Sequence, residues 1–393
     1  MSRDPLVILS ARRTPVGAFQ GVFAGVTAPQ LGSVAIKAAL ADSGVAAADV
    51  DEVIMGCVLS AGLGQAPARQ AALGAGIPAS VPSTTVNKMC GSAMRAIMQA
   101  GDQILAGSAR IMVAGGLESM TNAPYLLPKA RAGYRMGPQE VLDHMFTDGL
   151  QSPWDGQLMG CFAEATSGKY DFSRQAQDDF ARESARRAQA AISSGAFAGE
   201  IAPVTAKTRK GESVIDKDET PGTIDVSKIP TLKPAFRKDG SVTAASSASI
   251  SDGAAAVVLT RESVARERGL RPIARILGYT SFAREPEWFT LAPVGAMQKL
   301  LKQIEWRAED VDLYEINEAF AVVTMAAMKD LGLDHGKVNV NGGACSLGHP
   351  IGATGARLVT TLLHALKNRG KKRGIASLCI GGGEATAIAV ELV

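Results

Sequence analysis

Two segments near the ends of this chain repeat one pattern, and that repetition limits the fold more than any other feature. Asp51-Glu52-Val53-Ile54-Met55-Gly56 parallels Asp310-Val311-Asp312-Leu313-Tyr314-Glu315. Likewise Ile111-Met112-Val113-Ala114-Gly115-Gly116 parallels Leu378-Cys379-Ile380-Gly381-Gly382-Gly383. In each half a turn of small residues opens a helical stretch between those segments, at Cys90 in one and Gly348 in the other. Two copies are too few for a solenoid, where stacked repeats share a continuous core. They fit a duplicated α/β unit, in which sheets are covered by helices.

The rest of the chain alternates in the same way. Residues 6–9 read as a first strand, followed by a polar turn over 10–15. Helical spacing over 28–43 closes at Gly44, and 67–74 reads as a helix of small residues. Strands are expected over 51–59, 109–116, 254–260, 273–279, 312–316, 375–380 and 386–392. Helices are expected over 293–304, from near Glu318, and up to Leu366. Between about Met120 and Val242 prolines, glycines and charges thicken, and one long amphipathic helix stands out, 174–193 after the cap Ser173. Lys207, Arg209 and Lys210 before Gly211 read as a basic hairpin tip. The expected organisation is a first half (1–119 and 243–269), an inserted loop domain (120–242) and a second half (270–393).

A net charge of +3 is too small to favour nucleic acid or an anionic membrane. Five widely spaced cysteines without a CxxC pair argue against a disulfide framework or a zinc site, so no metal is expected. They fit reduced thiols in a cytosol-like compartment. The start of the chain does not read as a signal peptide, and no apolar run is long enough to span a bilayer. The expectation is a soluble, cytoplasmic protein.

A lone cysteine more often packs as a small hydrophobe than reacts. Cys90, however, sits where a β-branched run meets a helix start, so its thiolate is favoured by the helix dipole and free N–H groups. Asn317 and Glu318 fall at a strand-to-helix junction, where functional groups of open α/β sheets gather. His349, between Gly348 and Pro350, is a second catalytic candidate, because a Cys–His pair raises thiolate content. Cys379 ends a strand before three glycines whose N–H groups can face an oxyanion. No Lys-Ser/Thr follows those glycines, so a phosphate-binding loop is not expected. Cys57, Cys161 and Cys345 read as structural.

Taken together, these motifs closely resemble the thiolase family. The resemblance runs from Arg13-Thr14-Pro15-Val16-Gly17 through Asn87-Lys88-Met89-Cys90-Gly91-Ser92 to Asn317-Glu318-Ala319-Phe320, Gly348-His349-Pro350-Ile351-Gly352-Ala353 and Cys379-Ile380-Gly381-Gly382-Gly383. It implies two α/β halves with helices covering mixed five-stranded sheets, a loop domain that grips coenzyme A, and a homotetramer of paired dimers. In that family's terms Cys90 is the nucleophile that takes the acyl group, and His349 activates it. Asn317 holds a water for the oxyanion hole that His349 helps to form. Cys379 is the acid/base, and the N–H groups of Cys90 and Gly381 hold the other oxyanion. Leu150, Met159, Ala319 and Phe320 line the acyl and pantetheine pocket, and residues 130–137, with Arg131 and Arg135, resemble the cationic loop at the tetramer contact. The implied reaction is the reversible Claisen condensation of two acetyl-CoA to acetoacetyl-CoA plus CoA by a ping-pong route. Coenzyme A thioesters are then substrates, and no cofactor is expected. The alternatives are a degradative 3-ketoacyl-CoA thiolase of broader chain length and an inactive acyl-CoA-binding relative.

Three positions depart from the family pattern. Leu158 stands where short-chain members commonly carry histidine, and Ala248 replaces a serine, leaving Ser247 or Ser249 to meet pantetheine. An arginine often found near Asp218-Glu219-Thr220-Pro221 for adenine stacking is absent.

Overall fold

The computed structural model describes residues 4–208 and 211–393. Its framework is one sheet whose main path has nine strands: Leu6–Arg13 (β1), Glu52–Gly56 (β2), Ser83–Val86 (β3), Ile111–Ser119 (β4), Ser251–Arg261 (β5), Ala274–Ala283 (β6), Leu313–Ile316 (β7), Arg373–Ile380 (β8) and Glu384–Leu392 (β9). The order is β7-β8-β9-β6-β1-β5-β4-β2-β3. The pairs β2–β3, β2–β4 and β7–β8 are parallel and the others antiparallel, so the sheet is mixed.

The halves meet where β1 pairs β6 through Val7 with Arg275 and Ile8 with Ala274. Five strands (β3-β2-β4-β5-β1) form the first half, but the second has four and a single bridge, Tyr314 with Val338, in the fifth place. The reason is Asn339. Its φ of +47° turns the chain out of strand geometry, and its side chain takes over the edge bonds, accepting from Ile316 N and donating to Ile316 O at 2.8 Å each. The expected pair of five-stranded sheets is therefore one continuous sheet with an incomplete outer edge.

The duplication is present in a different register from the one the pattern indicates. Asp51 caps the next strand through Arg110 N (2.6 Å) and Ile111 N (2.8 Å). Asp312 does the same for Lys372 N (3.0 Å) and Arg373 N (2.9 Å). Asp51 thus corresponds to Asp312 rather than Asp310, and Ile111 to Arg373 rather than Leu378.

Eight helices carry the packing: Ala28–Ser43 (α1), Pro67–Gly74 (α2), Ser92–Ala106 (α3), Met159–Tyr170 (α4), Arg174–Ser193 (α5), Ala292–Gln303 (α6), Ala321–Leu331 (α7) and Thr354–Asn368 (α8). α1 starts at a reciprocal cap between Thr27 and Gln30 and ends at Gly44, φ +72°. Alternation along the strands feeds two faces: Met112 and Ala114 of β4 join one core, Ile111, Val113 and Leu117 another. The first core buries α3 and α8 between the strands of both halves. α1 and α2 cover the opposite face of the first half, α6 and α7 that of the second. The central helices cross closely. A Cβ at Gly355 would lie 2.4 Å from Met94 N, and one at Gly116 would lie 2.1 Å from Gly352 O.

Several expected elements change in length, among them the strand over 51–59, which shortens to β2, and that over 273–279, which extends to Ala283. β1 continues through the expected turn to Arg13, because Arg12 reaches Asp42 (2.6 Å) while buried Arg13 meets Glu200 (2.6 Å) and Asp218 (2.7 Å). The helix expected near Glu318 begins at Ala321. Residues 317–320 are extended and pair with the loop segment, Ala321 N to Ser246 O at 2.8 Å and Ala248 N to Ala319 O at 2.9 Å. In the basic hairpin Val204–Thr208 pairs Gly211–Ile215, and Arg209 and Lys210 lie outside the described residues.

Candidate active site

The turn between β3 and α3 is locked by its own side chains. Asn87 accepts from Met89 N (2.9 Å), and Ser92 accepts from Lys88 N (2.8 Å) and donates to Met89 O (2.6 Å). Met89, at φ +47°, turns the chain so that Cys90 precedes the first turn of α3. Gly91 has no side chain to spare room for, since a Cβ there would lie 2.4 Å from Ile380 Cδ1. The segment carrying Cys379 thus packs directly on the segment carrying Cys90.

Cys90, His349 and Gly381 line one small cavity of about 70 Å3, whose other walls include Leu150, Met159, Phe289, Ala319, Phe320 and Ile351. The backbone N–H groups of Gly381 and of Cys90 itself favour the Cys90 thiolate. Burial outweighs them and, with the charge of Glu118, pushes the thiol up to about 11, so the resting group is the thiol and not the favoured thiolate read from the helix start. Cys379, at the buried end of β8, is held well above the ordinary thiol range by burial and then by the neighbouring Cys90 charge. Asn317 lies behind the cavity, fully buried, with Nδ2 3.4 Å from His349 Nε2. Burial and then Arg357 push the His349 imidazole down to about 3, which keeps it neutral.

A wider apolar cavity of about 360 Å3 shares Leu150, Met159, Ala248, Phe320, His349 and Ile351 with the inner one, and adds Leu158, Phe236, Ser247 and Ser249. Ser247 spends its hydroxyl on Thr243 O (2.7 Å). Ser249 has only a 3.3 Å contact to Ser251 Oγ, which leaves it the freer of the two. Leu158 puts an apolar side chain on this wall.

Cys90, Leu150, Met159, Ser247, Ser249, Asn317, Ala319, Phe320, His349, Cys379 and Gly381 come to this place, around the two cavities or directly behind them, whereas Glu318 is buried against Ser184, Asn339 and Cys345, and Arg131 and Arg135 lie on the exposed stretch 130–137. Five further residues, none given a role in the sequence, contribute. Phe289 closes the inner cavity, and Thr354 sits 2.6 Å from His349 Nδ1. Lys88 and Glu384 form an ion pair between the two catalytic segments. Glu118 binds the N–H groups of Val58 and Leu59 (3.1 Å each) and of Gly352 (2.8 Å), and burial raises its carboxyl to about 7. Of the three other cysteines, Cys57 contacts Glu118 (3.8 Å) and Cys345 contacts Glu318 O (3.6 Å). Among the described residues no helix is long and apolar enough to cross a membrane.

Residues 6–263 match the family model for the thiolase N-terminal domain and residues 270–392 that for the thiolase C-terminal domain. The chain is 49% identical over 390 residues to an acetyl-CoA acetyltransferase of Cupriavidus necator, covering 98% of this chain and 99% of that one. It is 48% identical over 386 residues to the acetyl-CoA acetyltransferase of Pseudomonas aeruginosa, covering 98% of each. The crystal structure of the Bacillus anthracis acetyl-CoA acetyltransferase superposes with a TM-score of 0.97 at 43% identity, over 99% of both chains. The Acat5 thiolase from Ascaris suum, in complex with coenzyme A, superposes with a TM-score of 0.94 at 43% identity, over 99% of this chain and 100% of that one.

Proposed function

The chain belongs to the thiolase family, and from that footing we propose that it is an acetyl-CoA C-acetyltransferase, joining two acetyl-CoA into acetoacetyl-CoA and CoA through an acetyl-cysteine. The observation that carries the reading is the sulfur of Cys90, its thiolate favoured by two backbone N–H groups, sharing a cavity with neutral His349 and coupled to a second buried thiol.

In the first half-reaction the Cys90 proton passes to His349 Nε2 as the sulfur attacks the thioester carbonyl. The tetrahedral intermediate collapses, CoA leaves as a thiolate, and the imidazolium returns the proton to it. The N–H groups of Cys90 and Gly381 hold the oxyanion of this step, and His349, with a water held by Asn317, faces the enolate oxygen of the next. Acylation leaves Cys90 with no ionisable proton, so no charge can develop on that sulfur to oppose ionisation of Cys379. Cys379 then takes the α-proton of a second acetyl-CoA. The resulting enolate attacks the acetyl carbonyl, whose oxyanion falls to the N–H groups of Cys90 and Gly381. Collapse releases acetoacetyl-CoA, and the proton held by Cys379 goes back to the Cys90 sulfur.

An inner cavity of about 70 Å3 supports a two-carbon acyl group over a long chain. The wider apolar cavity suits the pantetheine arm, with Ser249 as its hydroxyl partner. Coenzyme A thioesters act here as substrates, and the chemistry needs no resident cofactor. Five unpaired thiols support a reducing, cytoplasmic setting. Tyr125, Leu127, Met136 and Val141, all exposed on one excursion of the loop domain, support an assembly of paired dimers that covers them.

The deciding experiment is thiolysis of acetoacetyl-CoA by the wild type, Cys90→Ala and Cys379→Ala, with mass spectrometry of the protein. The wild type turns over, Cys379→Ala carries acetyl on Cys90 without completing condensation, and Cys90→Ala carries none. A wild type that never acylates would leave an acyl-CoA-binding relative without this activity.

A further inference from the structure

One arginine is buried directly behind the catalytic histidine, and nothing in the reaction above uses it. Arg357, in the first turn of α8, is 2% exposed. Its Nη1 lies 3.5 Å from Glu315 and its Nη2 3.5 Å from Asn317 Oδ1. Glu315 is equally buried, so the pair is enclosed in the wall between β7 and α8. Such a pair is a costly device if stability is its only purpose, because desolvating two charges offsets much of their attraction.

We propose that Arg357 is a positioning residue that fixes the tautomer of His349 through Asn317. A guanidinium only donates, so the atom of Asn317 turned toward it is the amide oxygen. The amide NH2 then faces His349 Nε2 at 3.4 Å and needs a lone pair there. Nδ1 accordingly carries the ring proton and donates it to Thr354 Oγ1 at 2.6 Å. Thr354 can accept, because its own hydroxyl proton goes to Pro350 O at 2.9 Å. Donors therefore run one way from Arg357 to Pro350, and the polarity is set at the arginine end. The outcome is an unprotonated Nε2, the atom that must receive the Cys90 proton. With the arginine removed, Asn317 is free to turn its oxygen to Nε2 and select the unreactive tautomer.

Arg357 is also the one charge that acts on the imidazole, which burial already holds down. The other titratable groups packed around the His349 loop are Cys90 across the cavity, Glu118 on β4 below Gly352, and Glu315 and Glu318 at the end of β7.

The proposal rests on the acetyltransferase reading, and two measurements separate them. Thiolysis kinetics against pH, and alkylation of Cys90 by iodoacetamide, are compared in the wild type, Arg357→Lys and the neutral Glu315→Gln/Arg357→Gln double variant. Alkylation needs the histidine base but no CoA substrate. If the wild type does not turn over acetoacetyl-CoA, the function fails while alkylation still tests the arginine. In the double variant kcat and Cys90 alkylation fall by roughly ten- to a hundredfold with KM within about twofold. An acid limb also appears where the wild-type profile is flat. Arg357→Lys keeps the charge without the fork, so its kcat falls about tenfold and the profile stays flat. Should the double variant fail to fold, Arg357→Lys decides alone, and wild-type kcat there overturns the proposal. A double variant that loses KM and kcat together with no acid limb overturns it too.

Discussion

Lys88 and Glu384 form an ion pair that joins the turn before Cys90 to the strand that follows Gly381, Gly382 and Gly383. The two N–H groups that favour the Cys90 thiolate come from those same two segments, one from each half of the chain. A contact at the rim thus bridges the two segments whose Cys90 and Gly381 line the cavity below it.

Both side chains are partly exposed, at 23% and 38%, so the pair contributes less than about 1 kcal/mol to stability. Its effect on rate is larger. Lys88→Met and Glu384→Gln are each expected to lower kcat about tenfold with an unchanged melting temperature, and the double variant to lose no more than either single one. Additive losses in a double-mutant cycle of kcat would sink the idea.

Gly381 and Gly383 differ although they are neighbours in one run. A Cβ at Gly381 meets only Met159 Sδ at 3.6 Å, whereas one at Gly383, where φ is +93°, would lie 2.3 Å from Arg284 O. Gly381→Ala keeps its N–H and is expected to retain most of its activity. Gly383→Ala is expected to lose more than about 2 kcal/mol of stability by denaturant unfolding. Equal stabilities for the two variants would contradict this account.

Phe289 closes the acyl end of the inner cavity and is braced edge-on against Phe162 at 6.2 Å. In the series Phe289→Leu and Phe289→Ala, the ratio of kcat/KM for 3-ketohexanoyl-CoA over acetoacetyl-CoA is expected to rise, by roughly tenfold at alanine. The same step to alanine costs about 3–5 kcal/mol of stability. A constant ratio along the series would place the chain-length limit elsewhere.

Two buried groups set opposite slopes of stability with pH. His349 is pushed down to about 3, so its contribution is present above the ordinary histidine value and is lost as pH falls below it toward 3. Glu118 is raised to about 7, so its contribution is present below the ordinary carboxyl value and is lost as pH rises through 7. The melting temperature is expected to peak on the acid side of neutrality, and Glu118→Gln to flatten the alkaline decline while lowering the whole curve. Calorimetry that finds the decline intact in that variant would remove Glu118 as its cause.

Much of the architecture was legible in the sequence because local signals agreed with the packing. The end of α1 and the start of α5 follow from Gly44 and Ser173, whose caps the structure contains. Cys90, His349 and Gly381 stand out because glycine-rich turns with reactive side chains are rare outside sites. Other features depend on partners far away in the chain. Arg12 and Arg13 look like a turn until Asp42, Glu200 and Asp218 are beside them. The repeat was matched on its apolar letters, while its true register is marked by two capping aspartates, Asp51 and Asp312. Thiolate character at Cys90 was inferred from a helix start, and burial, invisible in one dimension, reverses it.

The crossing of α3 and α8 constrains how a chain like this can diverge. Met94, Gly116, Gly352 and Gly355 lie within touching distance of one another's segments, so any change of size in one copy of the repeat must be answered in the other. In the turns just ahead of those helices the copies have become unlike, with Cys90 in one and His349 in the other. Size is fixed where the helices cross while the side chains just ahead of them differ, so a duplicated fold holds one asymmetric cavity.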